Sequence, residues 1–567
     1  MRTSVAILLV AFLAACGDQM PATSPQSPAA APPAPVALTL SKETTYLLGP
    51  LRANGFVDYV QAFEKVAGEG VTAQSNAAAL LIEAQGPLFF TGNARQIVCG
   101  KLGIAVPAEK ECLVELDDLI DELWKKLVPD LKEDPAVPPE ELEGEALGKF
   151  AYKQNAREQQ GIAVARPWSP REFPLIRAWI ERNEAPLKIV KQASLRSHLF
   201  IPSPHGADET TMSGMFLPAV GRHRLPVRLL TARAMMRVQQ GDHDGAWDDL
   251  QTCQRLTNLV SREPTFVHHL IAVSMESLLH DPLRRMVIEQ SLSQAQLKRM
   301  LTEFASLSER ESFLRSLDLD ERFTLLDLVS RFKAKGYEGI MVPFDDDEEV
   351  PDLGAAERER IDELLDVNLV MKRINARSDD QAHGCSLPTF AERMKYYSES
   401  DARAHMLNER LMALMPDRRD EITARAIERN MKLPVEKRRE AFSDEAADTL
   451  IAYGNRAIIS IARGEEIARM NRDLTHITLA LAAFRADRGD YPAALAELSP
   501  EYLAQVPLDR FTDMPLRYAR GTNGFLLYSV GMNQRDDGGA YQVKGEDYFA
   551  DIAVRVKDGK VVPPESE

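Results

Sequence analysis

The sequence predicts a mainly α-helical protein, with a multi-helical body of packed helical hairpins and a small C-terminal α+β module. From about residue 41 to residue 464, many windows place apolar residues three and four positions apart, a spacing typical of amphipathic helices. Proline-containing breaks separate these windows, because proline lacks the donor that a helix interior needs. After residue 464, one long amphipathic segment is followed by short strand-like runs. A chain of 567 residues is long enough for several domains.

The first sixteen residues have the pattern of a signal peptide. Arg2 precedes an apolar run at 5–13, which is too short to cross a bilayer as a permanent helix. The small residues Ala14 and Ala15 come next, and Cys16 follows them. This pattern resembles the signal of bacterial lipoproteins, which are cleaved before the cysteine and acylated on it. The resemblance implies a signal peptide at 1–15 and lipidation of Cys16; the alternative is an ordinary secretory signal with an incidental cysteine.

A tether rich in proline and alanine follows the signal, at 16–40. Such a composition cannot build a core and favours a semi-extended chain. Because two or more acyl chains hold a protein on a membrane almost permanently, the resemblance implies an envelope protein with an N-terminal lipid anchor. In the lipoprotein family, an Asp directly after the cysteine favours the inner membrane. Gly17 stands at that position, so the expected location is the outer membrane, facing the periplasm.

Composition constrains the partners of the body. The later apolar runs fall short of the roughly 20 residues that span a bilayer, so the membrane is expected to be contacted through the lipid anchor. The formal net charge is −17. Proteins that bind phosphate backbones present concentrated Lys and Arg, so nucleic acid is not expected as a partner. A protein partner in the envelope is compatible with this composition.

Four cysteines remain once Cys16 is assigned to lipid, and an even number in an oxidising compartment permits disulfides. Cys99 and Cys112 bracket a loop-like stretch and are the pair that we expect to be joined. The alternative is that they are buried thiols, which pack as small hydrophobic side chains. A zinc site is not favoured, because the chain contains no C-x-x-C pair.

One helical hairpin is clearly indicated, at 225–260. A first helix is followed by a turn at 241–245, which contains Gly241 and Asp242, and a second helix carries Ala246 and Trp247 at apolar positions. The hairpin resembles a tetratricopeptide unit. No second copy occurs at the spacing of about 34 residues that such repeats have, so we predict a single tetratricopeptide-like hairpin rather than a repeat array.

The C-terminal module is predicted at 465–556, with a flexible tail at 557–567. A helix at 465–488 stops at Gly489, the run 489–492 reads Gly-Asp-Tyr-Pro, and the glycine-bounded segment 521–524 joins two strand-like runs. Together with Val-Pro-Leu-Asp at 506–509 and Tyr-Ser-Val-Gly at 528–531, these motifs resemble the C-terminal domain of the type II secretion major pseudopilin. Pseudopilins carry this domain on an N-terminal membrane helix, which this chain does not have.

The pseudopilin family binds calcium in its last loop, so the resemblance implies a possible calcium site here. Hard oxygen ligands suit calcium. In this sequence they are Asn533, Asp536, Asp537, Asp547 and Asp551. An exposed acidic turn without metal is the alternative. No other cofactor is expected.

Catalytic motifs are sparse. His269, Glu276 and His280 fall on one face of a predicted helix and are weak candidates for a metal or acid–base site, but they do not have the H-E-x-x-H spacing of zinc proteases. No G-x-S-x-G elbow and no glycine-rich phosphate loop is present. A polar stripe, or partly buried histidines with ordinary partners, is the preferred explanation of the three residues.

These observations favour a tethered binding or scaffold protein of the cell envelope over an enzyme. Two alternatives stay open. One is an accessory component of a type II secretion or pilus-like assembly, because of the C-terminal resemblance. The other is a periplasmic hydrolase or metalloenzyme with its site in the helical body.

Overall fold

The computed structural model confirms a mainly helical chain with a small antiparallel sheet near its C-terminus. The structure describes residues 37–90, 92–108, 112–127, 144–204, 212, 221–307, 309–335, 365–400, 402, 433–540 and 551–562. The signal peptide, Cys16 and most of the tether lie outside the described residues. Among the described helices, none combines the length and the hydropathy needed to cross a bilayer.

The helices of the N-terminal half are short to medium in length. They are α1 (Tyr59–Ala67), α2 (Ala78–Gln85), α3 (Gly92–Leu102), α4 (Leu116–Leu127), α5 (Gly144–Ala165), α6 (Pro174–Arg182), α7 (Glu184–Ser194), α8 (Arg224–Gln240), α9 (His243–Ser261) and α10 (Phe266–Glu289). Further along the chain follow α11 (Gln294–Ser306), α12 (Arg322–Lys335), α13 (Val367–Cys385) and α14 (Val435–Arg488).

The predicted hairpin is formed by α8 and α9, with a tighter turn than expected. Gly241 ends α8 in the left-handed conformation at φ 81°, which glycine adopts without steric cost. Asp242 then caps α9, because its side chain accepts a hydrogen bond from the Gly245 backbone N–H at 3.0 Å. Inside the hairpin, the carboxylate of Asp249 accepts two hydrogen bonds from Arg233 and one from Arg237, each at 2.7–3.0 Å.

The predicted boundary between body and module at residue 464 is wrong, because it lies inside helix α14. This helix runs unbroken for 54 residues, about 80 Å at 1.5 Å per residue. Gly464, which suggested the boundary, is accommodated within it. The first part of α14 packs on α13, and its later part packs on α10 and α11. The helix therefore belongs to body and module alike.

The sheet has four antiparallel strands in the order β1 (Arg517–Gly521), β2 (Gly524–Ser529), β3 (Ile552–Lys557) and β4 (Lys560–Val562). The first hairpin turns through two residues between Gly521 and Gly524, as predicted. The flexible tail expected from residue 557 is wrong as far as residue 562. Asp558 and Gly559 both have positive φ and reverse the chain, which adds β4 to the sheet.

One continuous apolar core joins the body to the sheet. It includes Trp179, Leu230 and Met286 of the body together with Leu527 and Val554 of the sheet. Strand β4 packs on α10, and the Val561 backbone N–H donates a hydrogen bond to Glu289 at 3.0 Å. A second apolar cluster joins α1, α12, α13 and the first part of α14. The C-terminal strands are thus built onto the helical body.

Candidate functional site

The three sequence-predicted catalytic candidates lie on the face of α10 that packs against α14. His269, Glu276 and His280 are exposed by only 1%, 1% and 7%. Their polar atoms meet side chains of α14 and the guanidinium of Arg310. We call this group of α10, α14 and Arg310 side chains the buried seam.

At one end of the seam, His269 lies between the carboxylate of Glu465 and the guanidinium of Arg310. Its Nε2 is 3.0 Å from Glu465 Oε2 and 2.9 Å from Arg310 Nη1. Burial lowers the pKa of His269, so the ring is neutral at neutral pH. Burial also works against ionisation of Glu465, but the hydrogen bond with His269 and the charge of Arg469 outweigh it and lower the pKa of Glu465 to about 2. Glu465 is therefore a carboxylate held inside the protein.

Arg310 connects this end of the seam to Glu276. Its Nε donates a hydrogen bond to Glu276 Oε2 at 3.1 Å, and both side chains are buried. A buried ion pair of this kind is costly to break, because either partner alone would be an uncompensated charge.

At the other end, His280 is held by Thr475, which is fully buried. The Thr475 hydroxyl donates to the Asn471 carbonyl at 2.7 Å and accepts from Arg284 Nε at 3.1 Å. Its hydrogen is therefore already used, and His280 Nδ1, at 3.1 Å, must be the donor of their shared hydrogen bond. Nε2 of His280 is then a bare lone pair. Burial, together with the charge of Arg284, keeps the pKa of His280 well below its usual value.

The geometry of the seam favours a structural role. The cavity that His280 borders, between α9, α10 and α11, has a volume of about 20 Å³, which is the space of one water molecule and far below the several hundred Å³ of a substrate site. Glu276 is bound to Arg310, while His269 and His280 are engaged by different partners. Within the described residues, no group of three or more His, Cys, Asp or Glu side chains is arranged to hold a metal ion.

The expected disulfide between Cys99 and Cys112 is not formed. Both side chains are buried thiols, as are Cys253 and Cys385. Cys112 packs directly above Gly86 and its Sγ lies 3.8 Å from the Glu83 carbonyl, whereas Cys99 faces the main core from α3. Burial raises the pKa of the Cys99 thiol. In the structure, Cys99 and Cys112 are therefore packed thiols, as in the alternative interpretation.

The C-terminal acids converge only in part. Asp551 is fully buried, and its Oδ2 accepts hydrogen bonds from the backbone N–H groups of Asp537 at 3.1 Å and Gly539 at 2.6 Å. Its Oδ1 is buried and has no hydrogen-bond partner among the described residues. Burial raises the pKa of Asp551 to about 6, and the charges of Asp537 and Asp536 add to this shift.

The remaining predicted ligands have other partners or are not described. Asn533 donates to Asp537 Oδ2 at 2.7 Å, and Asp536 accepts from Tyr528 at 2.9 Å and pairs with Arg517 at 3.2 Å. Asp547 lies outside the described residues.

A surface cleft that the sequence did not indicate lies where α4, α5, α8 and α10 meet. Its volume is about 710 Å³, within the range of roughly 300–1,000 Å³ that small-molecule sites occupy. The floor is apolar, and four residues from four separate segments form it: Leu88, Leu116, Val164 and Leu278. We call this feature the charged cleft.

The rim of the charged cleft carries both signs of charge. Three carboxylates lie at the start of α4, and three guanidinium groups come from α5, from the turn before α8 and from α8: Glu115, Asp117, Asp118, Arg157, Arg222 and Arg228. Arg157 pairs with Asp117, and Arg222 pairs with Glu115 at 3.1 Å. Asp118 and Arg228 form no ion pair with any residue that the structure describes.

Gly161 lies on the wall of the cleft, on an exposed turn of α5. A Cβ atom built at this position meets no other atom within 4 Å. A side chain introduced there would enter the cleft without displacing the protein. Sequence reasoning missed the cleft because its residues are distributed over more than 190 positions; a glycine inside the amphipathic pattern of α5 was the one local signal.

Comparison of the chain with protein-family models, with curated proteins and with solved structures yields no match.

Proposed function

We propose that this chain is a lipoprotein of the cell envelope, anchored through Cys16, whose helical body binds a ligand in the charged cleft. The observation that carries the proposal is the cleft itself, since an apolar floor and convergent charged groups in a volume of about 710 Å³ are what small-molecule sites have in common. The lipoprotein-like signal supports the anchor, and the tether at 16–40 would hold the body away from the lipid surface.

The geometry of the seam argues against catalysis there, and the geometry of the charged cleft favours binding. A hydrolase or metalloenzyme in the helical body would depend on His269, Glu276 and His280. These side chains are engaged in the contacts between α10 and α14, and the adjoining cavity of about 20 Å³ is too small for a substrate. The charged cleft offers volume and access that the seam does not.

A photo-reactive phenylalanine analogue at position 161 tests this proposal in intact cells. Its side chain would project into the cleft, so we expect ultraviolet light to produce a covalent adduct detectable by mass spectrometry. We expect the adduct to sediment with membranes when Cys16 is present and to become soluble in a Cys16→Ser chain.

The matched control places the same analogue at position 100. Gly100 is an exposed glycine of α3 whose Cβ also meets no atom within 4 Å, and it does not line the cleft. Equal adducts from both positions would refute the cleft as the binding site, and membrane retention of the Cys16→Ser chain would refute the anchor.

We further propose that the C-terminal loop binds calcium. Asp551 favours this, because its buried Oδ1 has no hydrogen-bond partner within the described part of the chain. Burial raises the pKa of Asp551, and the charges of Asp537 and Asp536 raise it further. A cation would remove this repulsion, and carboxylate oxygens are the ligands that calcium prefers. Asp551, Asp537, Asp536 and Asn533 are the described residues that would hold it. Asp547, which the pseudopilin resemblance also implies as a ligand, lies outside the described residues.

Calcium is therefore expected to stabilise the full chain. At a calcium concentration about 100 times the dissociation constant, a ligand that binds only the folded state adds about 2.7 kcal/mol to the free energy of unfolding. We expect differential scanning calorimetry to show a higher melting temperature with millimolar calcium than with chelator. The Asp551→Asn variant should show no such difference. An unchanged melting temperature of the parent chain would remove the metal from the proposal.

A further inference from the structure

The charged cleft presents a specific pattern of unmatched charge. Four of its six charged groups form two ion pairs, Arg157–Asp117 and Arg222–Glu115. Asp118 and Arg228 are left on the rim, on α4 and α8, in a cleft whose lining also contains the four apolar residues of the floor. The cleft therefore offers one anionic point, one cationic point and an apolar surface.

The surroundings of the two points strengthen their opposite preferences. Burial raises the pKa of Asp118, and the charges of Asp121 and Asp117 add to this shift while those of Arg222 and Lys153 oppose it. Because the pKa is raised overall, a cation bound there would be stabilised. On α8, Arg224 lies one turn before Arg228. Burial lowers the pKa of Arg224, and the charge of Arg228 lowers it further. An anion bound beside Arg228 would relieve this repulsion.

Several ligand classes fit this pattern poorly. A polyanion would be repelled by the Asp118 carboxylate and a polycation by the Arg228 guanidinium, the two charged groups of the rim that form no ion pair within the described residues. None of the described lining residues is aromatic, so the cleft has no platform on which a nucleobase could stack. A dipolar ligand with an apolar middle satisfies all three surfaces.

We propose that the charged cleft binds a short peptide with free termini, its ammonium group at Asp118, its carboxylate at Arg228 and its side chains on the floor formed by Leu88, Leu116, Val164 and Leu278. This inference rests on the proposed binding function and names its ligand class. The cleft volume of about 710 Å³ lies within the roughly 300–1,000 Å³ that sites for small ligands occupy.

The experiment uses the full chain and three forms of one probe. A mixed-sequence tripeptide pool is offered with free termini, with an acetylated N-terminus, or with an amidated C-terminus, and bound peptides are quantified by equilibrium dialysis and mass spectrometry. We expect each cap to weaken binding about tenfold, because each removes one charge-assisted contact. Binding that does not distinguish the three forms would overturn the proposal.

Two variants assign each terminus to its residue. Asp118→Asn should abolish the discrimination against acetylated peptides and keep the discrimination against amidated ones, whereas Arg228→Gln should do the reverse. Both side chains are exposed, so neither change should impair folding, which circular dichroism verifies. A variant that weakens all three forms equally would contradict the assignment.

A third variant closes the cleft. Gly161→Trp should abolish tripeptide binding, and the matched Gly100→Trp variant should leave it unchanged, because both positions have open space around the added side chain. If no form of the pool binds while the photo-reactive residue at position 161 still captures a different molecule, the proposed binding function stands and the peptide inference fails. If neither binds, both fail.

Discussion

Replacing Arg310 with methionine is expected to lower the free energy of unfolding by about 3–5 kcal/mol, the usual cost of removing one partner of a buried ion pair. Arg310 is 4% exposed, and its guanidinium contacts both Glu276 and His269. Methionine fills a similar volume, so the loss reports mainly the Glu276 carboxylate that is left buried without its partner. Denaturant unfolding monitored by circular dichroism measures the change.

The control is an arginine whose ion pair lies in water. Arg299 pairs with Asp244 at the surface, with the two side chains 45% and 64% exposed, so Arg299→Met should cost less than about 1 kcal/mol. The double variant Arg310→Met, Glu276→Met should lose less than the sum of its two single changes, because the second change removes the orphaned charge. Additive losses would show that the two residues are not coupled.

The second large effect is a loss of stability in acid that depends on His223. This ring is 2% exposed and lies 5.3 Å from Phe89 and 5.8 Å from His268. Burial lowers the pKa of His223 to about 4, whereas in the unfolded chain it is about 6.5. At a pH between these two pKa values, His223 is protonated in the unfolded state and neutral in the folded state. The free energy of unfolding therefore falls as the pH decreases below about 6.5.

Between pH 7 and pH 5, we expect the free energy of unfolding of His223→Phe to decrease by about 2 kcal/mol less than that of the parent chain. Denaturant unfolding at a series of pH values gives the comparison. Glu263 provides the opposite case, because burial raises its pKa to about 8 from 4.5 and the parent chain should lose stability as the pH rises through that window. Glu263→Gln should remove this opposite dependence across the whole interval from about pH 4.5 to pH 8, which overlaps the interval in which His223 acts. If the His223→Phe variant has the same pH dependence as the parent chain between pH 7 and pH 5, burial of the neutral ring is not the cause.

The parts of the fold that could be predicted are those with local signals. Gly241 and Asp242 end one helix and begin the next, and Gly489 ends α14, because glycine in the left-handed conformation stops a helix wherever the chain is. The domain boundary was wrong for a physical reason. A glycine such as Gly464 costs a helix only about 1 kcal/mol, and the packing of α14 against α10 and α13 outweighs that cost.

The candidate site could be predicted only in part. The spacing of His269, Glu276 and His280 indicated one helix face, but the α14 partners of the two histidines are almost 200 residues away, beyond any local pattern. Glu276 pairs instead with Arg310. The charged cleft was harder to predict, because Asp118 and Arg228 come from separate helices and no local sequence pattern indicates how these helices pack. Strand β3 was missed although Ile552, Val554 and Val556 alternate with other residues, since a run of six residues is a weak signal.

The long helix α14 also has a consequence for the order in which the protein can fold. Arg284 and His280 of α10 bind Thr475 across 191 and 195 positions of sequence. At about 5–20 residues per second, a ribosome needs roughly 10–40 s to make that interval. Throughout it, the polar face of α10 has been synthesised but its counterpart has not. The native contacts of α10 with α14 therefore cannot form while the N-terminal part of the chain is being synthesised. They form only after the last fifth of the chain, which contains Thr475, has been made.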